Sequence, residues 1–147
     1  MVDYGHNTDA FEAVARMAAQ WTGRRVTAIL GVPGDRDDRL IEDAGRIAAR
    51  GFQRIIKEDR DLRGRQRGEV AGLLCRTVNE AAPERECLTV LDEVEAFSQQ
   101  LTEMKHGDVT VIFYDQLEPV REVLARHGAV PATGIGELAP QLSMATG

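Results

Sequence analysis

Apolar residues recur along this chain in two alternating rhythms. Phe11, Val14, Ala15, Ala18 and Trp21 fall at helical spacing, with Gly23 as a stop. Val26 to Leu30 is a β-branched apolar run, too short for a helix, and reads as a buried strand. Leu40, Ile41, Ala44, Ile47 and Ala48 mark a second helix, with Gly51 placed as its C′ residue, and Phe52 to Ile56 a second strand. Val70, Leu73, Leu74 and Val78 give a third helix ending before Pro83, and Cys87 to Leu91 a strand. Asp92 and Glu95 form a capping-box pattern ahead of the stripe Val94, Phe97, Leu101 and Met104, which Gly107 closes. The strand Val109 to Tyr114 follows. Asp115 and Glu118 repeat the box, Pro119 is tolerable in that first turn, and Val120, Val123 and Leu124 face inward up to Gly128. Residues 129–147 form a tail, with a short helix expected near Leu138 to Leu142.

Strands alternate with helices throughout residues 1–128, which read as one domain. Continuous apolar strands flanked by amphipathic helices predict an α/β fold, a three-layer αβα sandwich on a mainly parallel sheet. The length of 147 residues suits that expectation, since a domain of this size buries roughly 68–70% of its unfolded surface. The charge is −6, from 18 Lys and Arg against 24 Asp and Glu, which argues against general nucleic-acid binding. No apolar run approaches the ~18 residues of a membrane span, and no signal peptide is visible, so a cytoplasmic protein is expected. Cys75 and Cys87 could pair, but with no CxxC and no histidine cluster the expectation is reduced core thiols. Trp21 reads as core, and His106 and His127, near helix C-termini, as surface residues.

Ligands in such folds sit beyond the carboxyl ends of the strands, which directs attention to three segments. In Asp3-Tyr4-Gly5-His6-Asn7-Thr8, Asn7 suits the N-cap of the first helix. The same segment suits an anion site, with Asp3 on a ribose hydroxyl and His6 near a phosphate or a reacting carboxylate. Gly31-Val32-Pro33-Gly34-Asp35-Arg36-Asp37-Asp38 has neither the Lys-Ser/Thr pair of a P-loop nor a GxGxxG fingerprint. Arginines interleave its aspartates, so dipole partners are expected there and no metal; the fork of Arg36 suits a carboxylate or phosphate. Lys57 to Arg67 reads either as a solvated charged loop or as a recognition loop for a zwitterionic small molecule.

Together these segments resemble the C-terminal domain of Mur-type ligases, most closely the cyanophycin synthetase branch. Asp3-Tyr4-Gly5-His6-Asn7 matches the family's opening motif, with Thr8 where the family has proline. Gly34-Asp35-Arg36-Asp37 matches its second element, and Glu58-Asp59-Arg60-Asp61-Leu62-Arg63-Gly64-Arg65 the third. The resemblance spans roughly Asp3 to His127. It implies a Rossmann-like lid that closes over ATP and Mg2+, held mainly by a central domain of the same enzyme. It also implies ATP-dependent amide formation, in which an amine attacks an acyl phosphate; in this branch arginine is joined to aspartate side chains of an acceptor chain. By the same resemblance Asp3 contacts the ribose, and His6 and Asn7 lie near the phosphates. Arg36, Asp59 and Arg60 then position the incoming amino acid, with a carboxylate of Glu58, Asp59 or Asp61 for a guanidinium.

The chain contains no glycine-rich Lys-Ser/Thr loop and no evident magnesium ligands, so an excised domain, inactive alone, is expected. The neighbouring readings are the lid of a peptidoglycan Mur or folylpolyglutamate ligase, a Mur-like domain kept only for assembly, and a non-catalytic α/β interaction module. A receiver-type module fits poorly, because the last strand runs into Asp115-Gln116 and not into a lysine.

Overall fold

The computed structural model describes residues 1–3, 7–58, 62–90 and 92–132. The expected tail helix near Leu138 to Leu142 lies outside the described residues. Among the described residues ten elements alternate: β1 (Val2–Asp3), α1 (Thr8–Ala18), β2 (Val26–Leu30), α2 (Asp38–Gly51), β3 (Arg54–Lys57), α3 (Glu69–Ala81), β4 (Glu86–Thr89), α4 (Glu93–Glu103), β5 (Val109–Phe113) and α5 (Leu117–Arg126). The strands form one sheet in the order β1-β5-β2-β3-β4, and every pair is parallel. The α/β sandwich expected from the pattern, Rossmann-like as the resemblance implies, is the fold observed.

β2 and β5 are buried along their whole length because helices cover both faces. Successive strand residues point to opposite faces and join separate cores. Val26, Ala28, Leu30, Ile55, Val109, Val111 and Phe113 pack under α1, α2 and α3. Ile29, Ile56 and Ile112 pack with Ala96 and Phe97 of α4 and Val120 and Val123 of α5. The larger core centres on Phe11, Phe52 and Phe113, with Phe11 and Phe113 edge to face at 4.9 Å. Such pairs add about 0.5–1.5 kcal/mol beyond burial alone.

Several local expectations are corrected. Gly51 is the last helical residue of α2, and Phe52 is the cap. The glycine is needed for packing: a β-carbon at 51 would stand 2.7 Å from Ala15 of α1. β3 begins at Arg54, two residues later than expected, and ends on the fully buried Lys57. α4 ends at Glu103, and Gly107 instead turns the chain into β5 at φ 92°. Asp92 does cap α4, accepting from the Glu95 amide at 2.9 Å. Asp115 does not cap α5; Gln116 holds that position without a side-chain bond. Cys75 and Cys87 are joined in a disulfide, not reduced. α3 runs back along edge strand β4, so their Cα atoms come within 5.4 Å, a proximity that twelve residues of linear separation do not reveal.

Candidate functional site

β2 and β5 are neighbours, yet α2 leaves β2 for one face of the sheet and α5 leaves β5 for the other. Diverging connections of this kind open a crevice at the carboxyl ends of the strands. A cleft of about 370 Å³ lies there. Its walls come from the residues after β2 (Gly31, Val32, Pro33 and Arg36), after β3 (Glu58 and Arg63) and after β5 (Tyr114 and Asp115), with Asn7, Thr8 and Phe11 from the start of α1.

Each wall has a local cause. Asn7 is the N-cap of α1, its side-chain oxygen accepting from the Ala10 amide at 2.8 Å, and Thr8 occupies the first helical position. Asp37 caps α2 by accepting from the Leu40 amide at 2.9 Å, which directs the turn 33–37 toward the cleft. The buried Glu58 carboxylate fills the space in which any β-carbon at residue 31 would stand, so Gly31 is the residue that lets β2 and β3 end side by side. Glu93, buried at the start of α4, accepts from the Asp115 amide at 3.3 Å and steadies the wall after β5.

The loop after β3 is tied to the turn after β2. Arg63 and Gly64 both take positive φ, at 37° and 92°, and the Arg65 amide closes the turn onto the Leu62 carbonyl. The Arg63 guanidinium donates to Asp35 at 2.8 Å and holds that carboxyl below the usual carboxylate range. Arg65 donates to the Gly34 carbonyl at 2.9 Å and the Arg36 carbonyl at 2.8 Å, while pairing with Asp38 and Glu69. Hydrogen bonding to Asp38 raises its already high pKa further. The Arg36 guanidinium is different: it faces the cleft and solvent, and among the described residues it has no hydrogen bond or ion pair.

Of the residues expected from sequence, Arg36 and Asn7 line the cleft together. Asp3 ends β1, half-buried and beside β5, its carbonyl accepting from the Tyr114 amide at 3.1 Å; it stands next to the cleft without lining it. His6, Asp59 and Arg60 lie outside the described residues. Tyr114 and Asp115 were missed as wall residues because Asp115 was read as a helix cap. The strand-end rule applied to β5, as to its neighbours, would have found them. Among the described residues no three His, Cys, Asp or Glu side chains gather as a metal site. No described helix is long and apolar enough to cross a membrane.

Residues 1–113 match the family model for the Mur ligase, glutamate ligase domain. The chain is 37% identical over 131 residues to a cyanophycin synthetase of Crocosphaera subtropica, covering 88% of this chain and 15% of that protein. It is 32% identical over 110 residues to a UDP-N-acetylmuramyl-tripeptide synthetase of Leifsonia xyli, covering 75% and 21%. The chain thus spans about one seventh of the cyanophycin synthetases it resembles. Among solved structures, a murein peptide ligase of Psychrobacter arcticus superposes with a TM-score of 0.65 at 17% identity, over 89% of this chain and 28% of that one, a likeness of fold. These matches establish that the chain belongs to the Mur ligase family and carries its C-terminal, glutamate ligase domain.

Proposed function

We propose that residues 1–128 act as the acceptor-binding lid of a cytoplasmic, ATP-dependent carboxylate–amine ligase of the cyanophycin synthetase kind. The attacking substrate is then arginine and the acceptor an aspartate side chain of a longer chain. The observation that carries this reading is the Arg36 guanidinium, unengaged in a cleft where the neighbouring Arg63 and Arg65 have carboxylate partners. A planar fork held in that state suits the α-carboxylate of an incoming amino acid. The apolar Phe11, Leu30 and Leu40 suit an aliphatic stem, and Glu58 or the loop at Asp59 suits a cationic head.

In this reaction ATP supplies the phosphoryl group that activates the acceptor carboxylate. The described residues do not form a magnesium site, and the sequence has no glycine-rich Lys-Ser/Thr loop, so no step here is assigned through metal or triphosphate. Asp3 is assigned to the ribose, and His6 and Asn7 to the vicinity of the phosphates. With its oxygen committed to the helix cap, Asn7 offers its side-chain NH2 as donor. Arg36, Asp59 and Arg60 orient the amine. Closure of the lid brings that amine to attack distance and excludes the water that would hydrolyse an activated carboxylate.

The test is Arg36→Ala in the intact ligase, assayed as arginine-dependent ADP release. The KM for arginine is expected to rise about tenfold, equivalent to about 1.4 kcal/mol. An unchanged KM removes Arg36 from recognition. Activity with meso-diaminopimelate or glutamate in place of arginine would favour a peptidoglycan or folylpolyglutamate lid, the former being the reading that the Leifsonia relative supports.

A further inference from the structure

Arg65 ends the third motif with no role assigned to it, yet it is the residue that binds the turn carrying Arg36. One guanidinium reaches two backbone carbonyls of that turn, Gly34 through Nε at 2.9 Å and Arg36 through Nη2 at 2.8 Å. Two carboxylates hold it there. Asp38 at the start of α2 lies 2.8 Å from Nη2, and Glu69 at the start of α3 lies 3.0 Å from Nη1. Glu69 also accepts from the Gln66 amide at 3.1 Å, which closes the first turn of α3 onto the same cluster. The side chain is only 20% exposed, although both carboxylates it joins are largely in solvent. The backbone adopts an uncommon shape to bring it there, since Arg63, two residues earlier, takes φ 37°.

This arrangement links α2, α3 and the turn after β2 through one side chain. A carbonyl turn is held by whatever donors face it; Pro33 offers no N–H, and within the turn the Arg36 amide bonds back to the Pro33 carbonyl at 3.2 Å. We propose that Arg65 is a positioning residue: by clamping the carbonyls of Gly34 and Arg36, it holds the Arg36 guanidinium over the cleft before substrate arrives. The proposal rests on the reading of Arg36 as an anion-recognising residue and adds the group that presets it. Preorganisation of this kind lowers the ordering cost of binding, so its loss falls on KM more than on kcat.

The test uses Arg65→Met, which keeps the stem and removes the fork, and Arg65→Lys, which keeps the charge but cannot serve both carbonyls at once. In the chain itself, hydrogen exchange at the Arg36 and Leu40 amides is expected to quicken about tenfold in Arg65→Met, with the β2 and β5 amides unchanged. In the intact ligase, Arg65→Met is expected to raise the KM for arginine about tenfold with kcat held within about threefold. Arg65→Lys should fall between it and wild type. Combining Arg65→Met with Arg36→Ala should add little to Arg36→Ala alone, because one residue acts through the other. Unchanged exchange at Arg36 and Leu40 overturns the proposal whatever the kinetics. So does a KM unmoved by Arg65→Met in a ligase where Arg36→Ala does raise it. If Arg36→Ala itself leaves KM unchanged, the reading of the cleft fails; quickened exchange would then reduce Arg65 to a structural tie, a result distinct from the first two.

Discussion

The two ends of the sheet treat their polar groups in opposite ways. At the amino ends of the strands, Arg54 of β3 is almost wholly buried, and its Nη1 donates to Gln100 and Glu103 at 2.8 Å each. Gln100 in turn reaches the hydroxyls of Thr27 and Thr110 at 3.2 and 3.1 Å, and Glu86 lies 3.3 Å from Nε. That network joins β2, β3, β4, β5 and α4. At the carboxyl ends the chain opens, glycine lets Glu58 lie against β2, and one arginine is left unengaged beside two that are bound. Apart from Arg54 Nε, which has Glu86 as an ion partner but no hydrogen bond, that buried network is bonded and specifies packing, whereas an arginine exposed at a cleft keeps its bonding capacity for a ligand.

Substitutions at the two poles should therefore separate stability from binding. Arg54→Met is expected to have the largest effect on folding, about 3 kcal/mol, because it strips bonds from buried Gln100 and the carboxylates around it. Urea unfolding measures this, and a loss below about 1 kcal/mol would show the network to be incidental. Arg36→Ala should do the reverse: about tenfold in the KM of the intact ligase, with stability moved by less than about 0.5 kcal/mol. Equal losses of stability at both positions would erase the contrast.

Acid titration sharpens the comparison next. The hydrogen bond from Arg54 holds Glu103 below the usual carboxylate range, with Gln99 assisting. A folded-state pKa lower than the unfolded one contributes stability above the ordinary carboxylate range, and that contribution is lost as pH falls through the folded value. Glu103→Gln should accordingly flatten the loss of stability on acidification, read as the Tm difference between neutral and acidic buffer. An unchanged slope would remove Glu103 from the network. The smallest expected effect is at the cleft pole. Thr8→Pro, at the first helical position of α1, should stabilise the chain by about 0.5 kcal/mol through reduced freedom of the unfolded chain. Destabilisation there would mean that the start of α1 needs the threonine amide or hydroxyl.

Much of this architecture is legible in linear form because the periods of strand and helix differ and each strand is bounded by charge or glycine. Asn7 and Asp92 are readable as caps, since capping is set within three residues. Gly51 was misread for the opposite reason: it serves contact with Ala15, which lies far away in sequence. The Cys75–Cys87 bond was misjudged similarly, as α3 had to fold back on β4 before the sulfurs could meet. At the site, motif order pointed to Arg36, whereas the clamp on its turn required the positive φ of Arg63 and the placement of α2 beside α3.

The sequence by itself determined the alternation of elements, the burial of their apolar faces and the family motifs at strand ends, because these depend on residues close together along the chain. Only the tertiary structure decided that β5 inserts between β1 and β2. That insertion makes α2 and α5 diverge, opens the cleft, and leaves Arg36 facing it while Arg54 is buried and bonded to Gln100 and Glu103. Strand order depends on contacts between distant residues, and no local period encodes it.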